Sequence, residues 1–108
     1  MLRITEQNGV ALVDLSGDLN RKNILPLRDN ILGEIQPGIK TIEFHFENVE
    51  KMDAPAMAMM VIIAKKLLAL SITSKVSGLA GECKDLATFL GLHLVAEVEG
   101  RGSILRHC

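Results

Sequence analysis

Residues 51–60 constrain the fold more than any other stretch, because they indicate a strand end followed directly by a helix start. Asp53 places a carboxylate near the expected positive end of a helix dipole, where it is favourable. Pro55 suits the first helical position, since the amide there has no partner within the helix. Ala54, directly before the proline, is expected to be extended. The apolar run that follows predicts a helix to about Leu70.

The chain begins with a hairpin pattern. Two β-rich runs, residues 2–6 and residues 10–16, lie on either side of Asn8-Gly9. Asn-Gly is the strongest short-range hairpin signal, so the two runs are predicted to form an antiparallel pair. Residues 16–20 are expected to break the second strand.

A helix and a strand are predicted next. Asn20 or Asn23 can cap the helix. Its apolar residues recur at spacings of three and four and form one stripe: Ile24, Leu27, Ile31 and Ile35. Residues 41–46 alternate apolar and polar, which predicts a strand with one buried face. The other face of that strand carries Glu43 and His45.

The C-terminal part continues the alternation of strands and helices. Residues 71–77 predict a strand, residues 82–90 a helix and residues 94–98 a short last strand. Gly91 is expected to end the helix in the left-handed conformation. The side chains of this helix expected to point inward are Leu86, Phe89 and Leu90.

A hairpin followed by three alternating helix and strand units predicts an α/β fold. The sheet is expected to be mixed, with the N-terminal hairpin joined to parallel strands and the helices packed mainly on one face. At 108 residues the chain fits one domain. We expect that domain to span residues 1–99, with a C-terminal tail over residues 100–108.

Composition excludes several classes of function. The formal net charge is −1, and aromatic residues make up only 3% with no Trp or Tyr, which argues against nucleic-acid binding. The longest apolar run, residues 54–64, is too short to span a membrane, and the start lacks the apolar core of a signal peptide. A soluble cytoplasmic protein is expected, in which Cys83 and Cys108 are reduced.

Four short motifs in this order and spacing resemble a known family, the STAS domain of the anti-sigma-factor antagonists. The resemblance covers residues 2–99. The motifs, with the family patterns, are residues 15–20 (LSGDLN for LSGELD), residues 45–49 (HFENV for DLSxV), residues 52–56 (MDAPA for xDSSG) and residues 90–92 (LGL for TGL or SGL).

The resemblance implies a partner switch in which a kinase-like anti-sigma factor binds the unphosphorylated antagonist and phosphorylates the first Ser of the Asp-Ser-Ser-Gly motif. That phosphoacceptor position is Ala54 here, which has no hydroxyl. Asp53 alone remains from the motif. Other family positions differ as well: Asn20, His45, Pro55 and Ala56. The resemblance therefore implies the fold and a binding role without phosphorylation at the usual site.

The expected partner-binding surface combines this junction with the outward face of the helix. Its residues are Asp18, Asn20, Asp53, Ala54, Pro55, Ala58, Met59 and Ile62. Helical periodicity turns the remaining apolar residues inward: Met57, Met60, Val61, Ala64, Leu67 and Leu68. Adaptable Met-rich patches often mark interaction surfaces. The alternatives are that a loop or the tail covers this face and that Asp53 only stabilises the helix dipole.

Other chemistry has little support in the sequence. The histidines and cysteines have no metal-ligand spacing, and no carboxylate has a paired nucleophile or base, so neither metal, cofactor nor catalytic residue is expected. His45 either forms a small polar mouth with Asn20 and Asp53 or is a dry histidine on a strand face.

Two classes of function follow. The first is a non-enzymatic, protein-binding regulatory module of the anti-sigma-factor-antagonist type, which binds a kinase-like anti-sigma factor or another signalling partner. The second is a structural or regulatory STAS subunit of a homodimer or of a transporter ATPase complex. A nucleotide-binding regulator is a third alternative, against which stands the lack of a Gly-rich phosphate loop.

Overall fold

The computed structural model describes residues 2–99, so the expected tail lies outside the described residues. In chain order the elements are β1 (Leu2–Gln7), β2 (Val10–Leu19), α1 (Ile24–Gly33), β3 (Thr41–Met52), α2 (Ala54–Ala69), β4 (Thr73–Ser77), α3 (Gly81–Leu90), a 3-10 turn (Leu92–Leu94) and β5 (Glu97–Val98).

The five strands form one sheet in the order β1-β2-β3-β4-β5. The first pair is antiparallel and the other three pairs are parallel. Each parallel connection contains a helix, as parallel neighbours require a crossover. The predicted α/β fold with a mixed sheet is therefore confirmed.

The turn between β1 and β2 has the backbone that its sequence predicts. Asn8 has φ 52° and Gly9 has φ 81°, the positive values that a tight hairpin turn of this kind requires. The carbonyl oxygen of Gly9 also accepts a hydrogen bond from the Lys40 amide at 2.9 Å. The hairpin turn is thus tied to the segment that leads into β3.

The core lies between one face of the sheet and the helices. On β3 the alternating residues Ile42, Phe44 and Phe46 are at most 2% exposed, as predicted. Helix α2 contributes its most deeply buried face from four large side chains: Met57, Met60, Ile63 and Leu67. Burial of each such side chain contributes about 1.5–3 kcal/mol, so the four together hold α2 against the sheet.

The two central strands are longer than the sequence predicts. β2 continues to Leu19 and β3 to Met52, and the two strands pair along this extra length. The register shifts between Asp14 and Ser16 and again between Gly17 and Asp18. The predicted strand break at residues 16–20 is wrong because irregularities of this kind accommodate extra residues without ending the strand.

The C-terminal third differs from prediction in two places. A 3-10 turn replaces the first part of the predicted last strand, which is reduced to two residues. In α3 the buried side chains are Cys83 and Ala87, whereas Phe89 is 84% exposed. The prediction of an inward Phe89 is wrong because the smaller residues, four positions apart, face the core instead. Gly91 ends the helix at φ 83°, as predicted.

No helix within residues 2–99 has both the length and the apolar character needed to cross a lipid bilayer.

Candidate functional site

Asp53 is the centre of the junction between β3 and α2. Its Oδ1 accepts a hydrogen bond from the Ala56 amide at 2.9 Å, which caps the first turn of α2. Its Oδ2 accepts a second bond from the Arg21 amide at 3.1 Å. One carboxylate therefore joins the start of α2 to the loop after β2, and the Asp53 amide donates to the Leu19 carbonyl at 3.1 Å.

The loop after β2 is held by two asparagines. The Asn20 amide donates to Oδ1 of Asn23 at 2.9 Å. In return, Oδ1 of Asn20 accepts hydrogen bonds from the amides of Lys22 and Asn23 at 2.9 and 3.2 Å. The Asn23 side chain also donates to the Asp18 carbonyl at 2.8 Å. Asn20 thus shapes the loop. Of the two predicted caps for α1, Asn23 makes no capping hydrogen bond with its side chain.

These elements line a cleft of about 690 Å³. Asp18, Asn20 and Asp53 line it together with the first turn of α3. Its charged side chains are mostly acidic: Asp18, Glu50, Asp53 and Glu82 against Lys51. The structure therefore brings three of the residues singled out in the sequence to one acidic cleft.

Ala54 and Pro55 are exposed at the start of α2. The helix begins at Ala54, and the extended residue is Asp53, with φ −89° and ψ 170°. The prediction of an extended Ala54 is wrong by one residue, because the cap at Asp53 starts the helix before the proline. The methyl group of Ala54 lies beside the cap on an open surface.

The outward face of α2 is only partly as predicted. Ile62 is 43% exposed, while Ala58 and Met59 are partly buried, and Met59 packs against the core. Leu68, expected to point inward, is 55% exposed. It belongs to the last turn of the helix, where residues 68–70 are all exposed because the core no longer covers both sides.

His45 does not join this junction. It lies on the sheet face opposite the core, where its Nδ1 is 2.9 Å from Asp14 Oδ1 and its Nε2 is 3.3 Å from Glu43 Oε1. Burial lowers its pKa, but the hydrogen bonds to Asp14 and Glu43 and the charges of Asp14 and Glu47 outweigh this and raise the pKa above 6.5. The interpretation of His45 as part of a mouth with Asn20 and Asp53 is wrong.

Sequence reasoning missed two contacts, the one between Asp14 and His45 and the one between the Arg21 amide and Asp53. Asp14 and His45 are partners in the parallel register of β2 and β3, so strand alternation would reveal the pair only once that register is known. The Arg21 amide has no sequence signature at all.

Cys83 lies in the wall of the acidic cleft and is 4% exposed. The expectation that Cys83 and Cys108 are reduced stays a prediction, because it concerns a pair of which the structure describes one member. Cys108 lies outside the described residues. Within residues 2–99 there is no group of three or more His, Cys, Asp or Glu side chains placed to hold a metal ion.

The family follows from a comparison of the whole sequence. The family model for the STAS domain matches residues 1–100. The chain belongs to the STAS-domain family. No curated protein matches it in sequence.

Solved structures agree with this fold. The anti-sigma factor antagonist SpoIIAA in its unphosphorylated form is 16% identical, with a TM-score of 0.72 over 91% of this chain and 86% of that chain. A putative anti-sigma factor antagonist from Thermotoga maritima is 14% identical, with a TM-score of 0.79 over 90% and 84%. A sulfate transporter family protein from Wolinella succinogenes is 15% identical, with a TM-score of 0.73 over 87% and 79%. These identities show a shared fold.

Proposed function

We propose that this STAS domain is a non-enzymatic regulatory module that binds a signalling protein, such as a kinase-like anti-sigma factor, in the cytoplasm. Its docking surface combines the acidic cleft with the start and outward face of α2. The residues are Asp18, Asn20, Asp53, Ala54, Pro55, Ala58, Met59 and Ile62. The fold shared with anti-sigma factor antagonists supports a protein partner.

The observation that carries the proposal is the double hydrogen bond of Asp53. It joins two segments that are 32 residues apart in sequence, so the loop and the helix start present one preformed surface. A preformed surface loses little conformational entropy when a partner binds. Ile62 lies eight residues along α2 from Ala54, roughly 12 Å from it, and extends this surface with exposed apolar area.

Position 54 gives the proposal its regulatory consequence. A methyl group cannot accept a phosphoryl group, so the module acts without the covalent switch that a serine here would allow. Partner binding is then controlled by competition or by the amount of protein. The charge of the cleft also favours a partner that presents basic side chains.

Mass spectrometry after incubation with the cognate kinase and ATP tests this consequence. Wild type is expected to carry no phosphate at residues 50–60, and the Ala54→Ser variant, which introduces a hydroxyl at this position, is the matched control. Stoichiometric phosphate on this stretch of the wild-type chain would contradict the proposal.

Partner capture from the native cytoplasm tests the docking surface. Ile62→Lys places a charge on the proposed surface, whereas Leu68→Lys places the same charge on a leucine that is also exposed, toward the other end of α2. We expect a specific partner to be lost with Ile62→Lys and retained with Leu68→Lys. Equal retention by both variants would show that this face of α2 does not bind the partner.

A second candidate is a structural STAS subunit, in which the exposed face at Ile62 is buried in a homodimer or in a transporter ATPase complex. The similarity to a sulfate transporter family protein supports it. Light scattering separates the two candidates. A wild-type dimer that dissociates in the Ile62→Lys variant favours the structural subunit. If wild type and Ile62→Lys are both monomers, the regulatory module is favoured.

A further inference from the structure

A second cavity lies at the other end of α2 from the acidic cleft. It has a volume of about 290 Å³ and is formed by the end of α2, the start of β4 and the 3-10 turn. Leu68 lies 14 residues along the helix from Ala54, a distance of roughly 21 Å. The cavity is therefore separate from the docking surface proposed above.

Two residues that line this cavity each carry a buried polar atom that lacks a partner. Ser74 Oγ and His93 Nδ1 are buried, and neither has a hydrogen-bond partner in the part of the chain that the structure describes. Ser74 and His93 both belong to the lining of the cavity. A buried polar atom without a partner is unfavourable, and native proteins leave few of them.

The fold does not need a hydroxyl at position 74. Ser74 is 2% exposed and lies on the core face of β4, in register with Ile42 of β3 and two residues before Val76. It is the single polar side chain that is buried within residues 2–99. An apolar residue would pack here as its neighbours do, so the hydroxyl indicates a partner that enters the cavity.

The rim of the cavity is apolar. Leu68 and Leu94 line it and are 55% and 76% exposed. Its charged residue is Glu97, and no lysine or arginine occurs among the described residues that line it. A ligand that suits these surroundings has an apolar body, one hydrogen-bonding group and no negative charge.

We propose that this cavity binds a small uncharged amphipathic molecule, whose primary amide or alcohol group hydrogen-bonds to Ser74 Oγ and His93 Nδ1. Such groups both donate and accept, so they satisfy the serine hydroxyl and either tautomer of the imidazole. The aliphatic body of the ligand lies against Leu68 and Leu94.

Titration of the full ¹⁵N-labelled chain with pentanamide, followed by NMR, tests the site. We expect saturable shifts at the amides of Ser74, His93 and Leu94. Pentanoate is expected to bind more weakly, because its charge faces Glu97 without a cation. Ser74→Ala should weaken pentanamide binding about fivefold, the value of one lost hydrogen bond. Ser77→Ala is the matched control, because it changes the same strand on the opposite face and should leave binding unchanged.

Leu94→Asn provides a second variant that alters only the exposed rim, and it too should weaken binding. Shifts that do not saturate, or equal affinity in Ser74→Ala and wild type, would overturn the proposal. So would a crystal soaked in pentanamide in which water alone contacts both polar atoms. Nuclear Overhauser contacts from residues 100–108 into the cavity would show that the chain fills its own cavity, which also overturns it.

Discussion

The junction at Asp53 and the polar cluster at His45 both use carboxylates to join separate segments, but with different partners. Asp53 accepts hydrogen bonds from two backbone amides, those of Arg21 and Ala56. Asp14 and Glu43 instead contact the imidazole of His45 on the open face of the sheet. The first arrangement depends on one side chain and the second on three.

This difference determines how each region tolerates change. Backbone amides are present whatever the side chain, so the residues around Asp53 can differ from a family pattern while the junction keeps its geometry. The cluster at His45 changes strength with any of its three side chains and with the protonation of the histidine.

The largest effect is expected at Gly78, where two distant segments also meet, here through the close approach of a glycine to Glu47. Gly78 has φ +84°, and a Cβ atom there would lie 2.5 Å from the Glu47 amide nitrogen. We expect Gly78→Ala to lower the free energy of unfolding by about 3 kcal/mol, because it combines a clash with backbone and a left-handed conformation. Urea denaturation measures this effect.

The control for this substitution is Gly33→Ala. A Cβ atom at Gly33 would meet nothing within 4 Å, and the residue ends α1. Alanine there is expected to be neutral or stabilising by up to about 1 kcal/mol. Similar losses from both substitutions would show that the contact between Gly78 and Glu47 does not set the effect.

Removal of the carboxylate at the junction is expected to have the next largest effect. Asp53→Ala deletes the cap of α2 and the acceptor for the Arg21 amide, and we expect a loss of about 1–2 kcal/mol. Arg21 is exposed, so its amide can bind water instead, whereas Ala56 is fully buried and its amide loses its acceptor, which places the loss toward the upper end of this range. Thermal unfolding measures it.

Asp53→Asn sharpens the comparison because the amide oxygen can still cap the helix. Its NH2 group cannot accept from the Arg21 amide, so this variant should retain the stability that comes from the helix cap and lose the part that comes from the loop. A loss as large as that of the alanine variant would mean that the helix cap is not what holds the junction.

The smallest effect is expected at His45, and it depends on pH. Because its pKa is raised in the folded state, protonated His45 stabilises the fold. This contribution is fully present below pH 6.5, the ordinary pKa, and is lost as the pH rises through the folded-state pKa. The stability difference between wild type and His45→Gln should thus be larger at about pH 5.5 than at about pH 8.5.

Asp14→Asn is the companion variant at this cluster. It removes one hydrogen-bonding carboxylate, so the pKa of His45, followed by NMR of the ring protons, should fall. An unchanged pKa would assign the raised value to Glu43 and Glu47 instead.

The features that the sequence predicted are those with a periodic cause. The alternation of residues 41–46 revealed a half-buried strand, and the Asn8-Gly9 turn revealed the hairpin, because both depend on local backbone geometry. Asp53 was placed at a helix start from its position before a proline, and the cap is present.

The features that could not be predicted depend on contacts between distant segments. The Arg21 amide meets Asp53 only after β2 and β3 pair to their ends. The rotation of α3 depends on the close approach of Cys83 and Ala87 to the core, which a hydrophobicity pattern dominated by Phe89 conceals. The exposure of Leu68 follows from where the core ends, which helical periodicity does not report.

The uneven length of the strands has a mechanical consequence for the proposed docking surface. β3 pairs with β4 only as far as His45, but with β2 as far as Met52. The Asp53 junction therefore follows a stretch in which β2 and β3 pair only with each other, and two-stranded stretches twist more than full sheets do. A force that a partner applies at the junction would therefore deform the paired ends of β2 and β3 before it deforms the rest of the sheet.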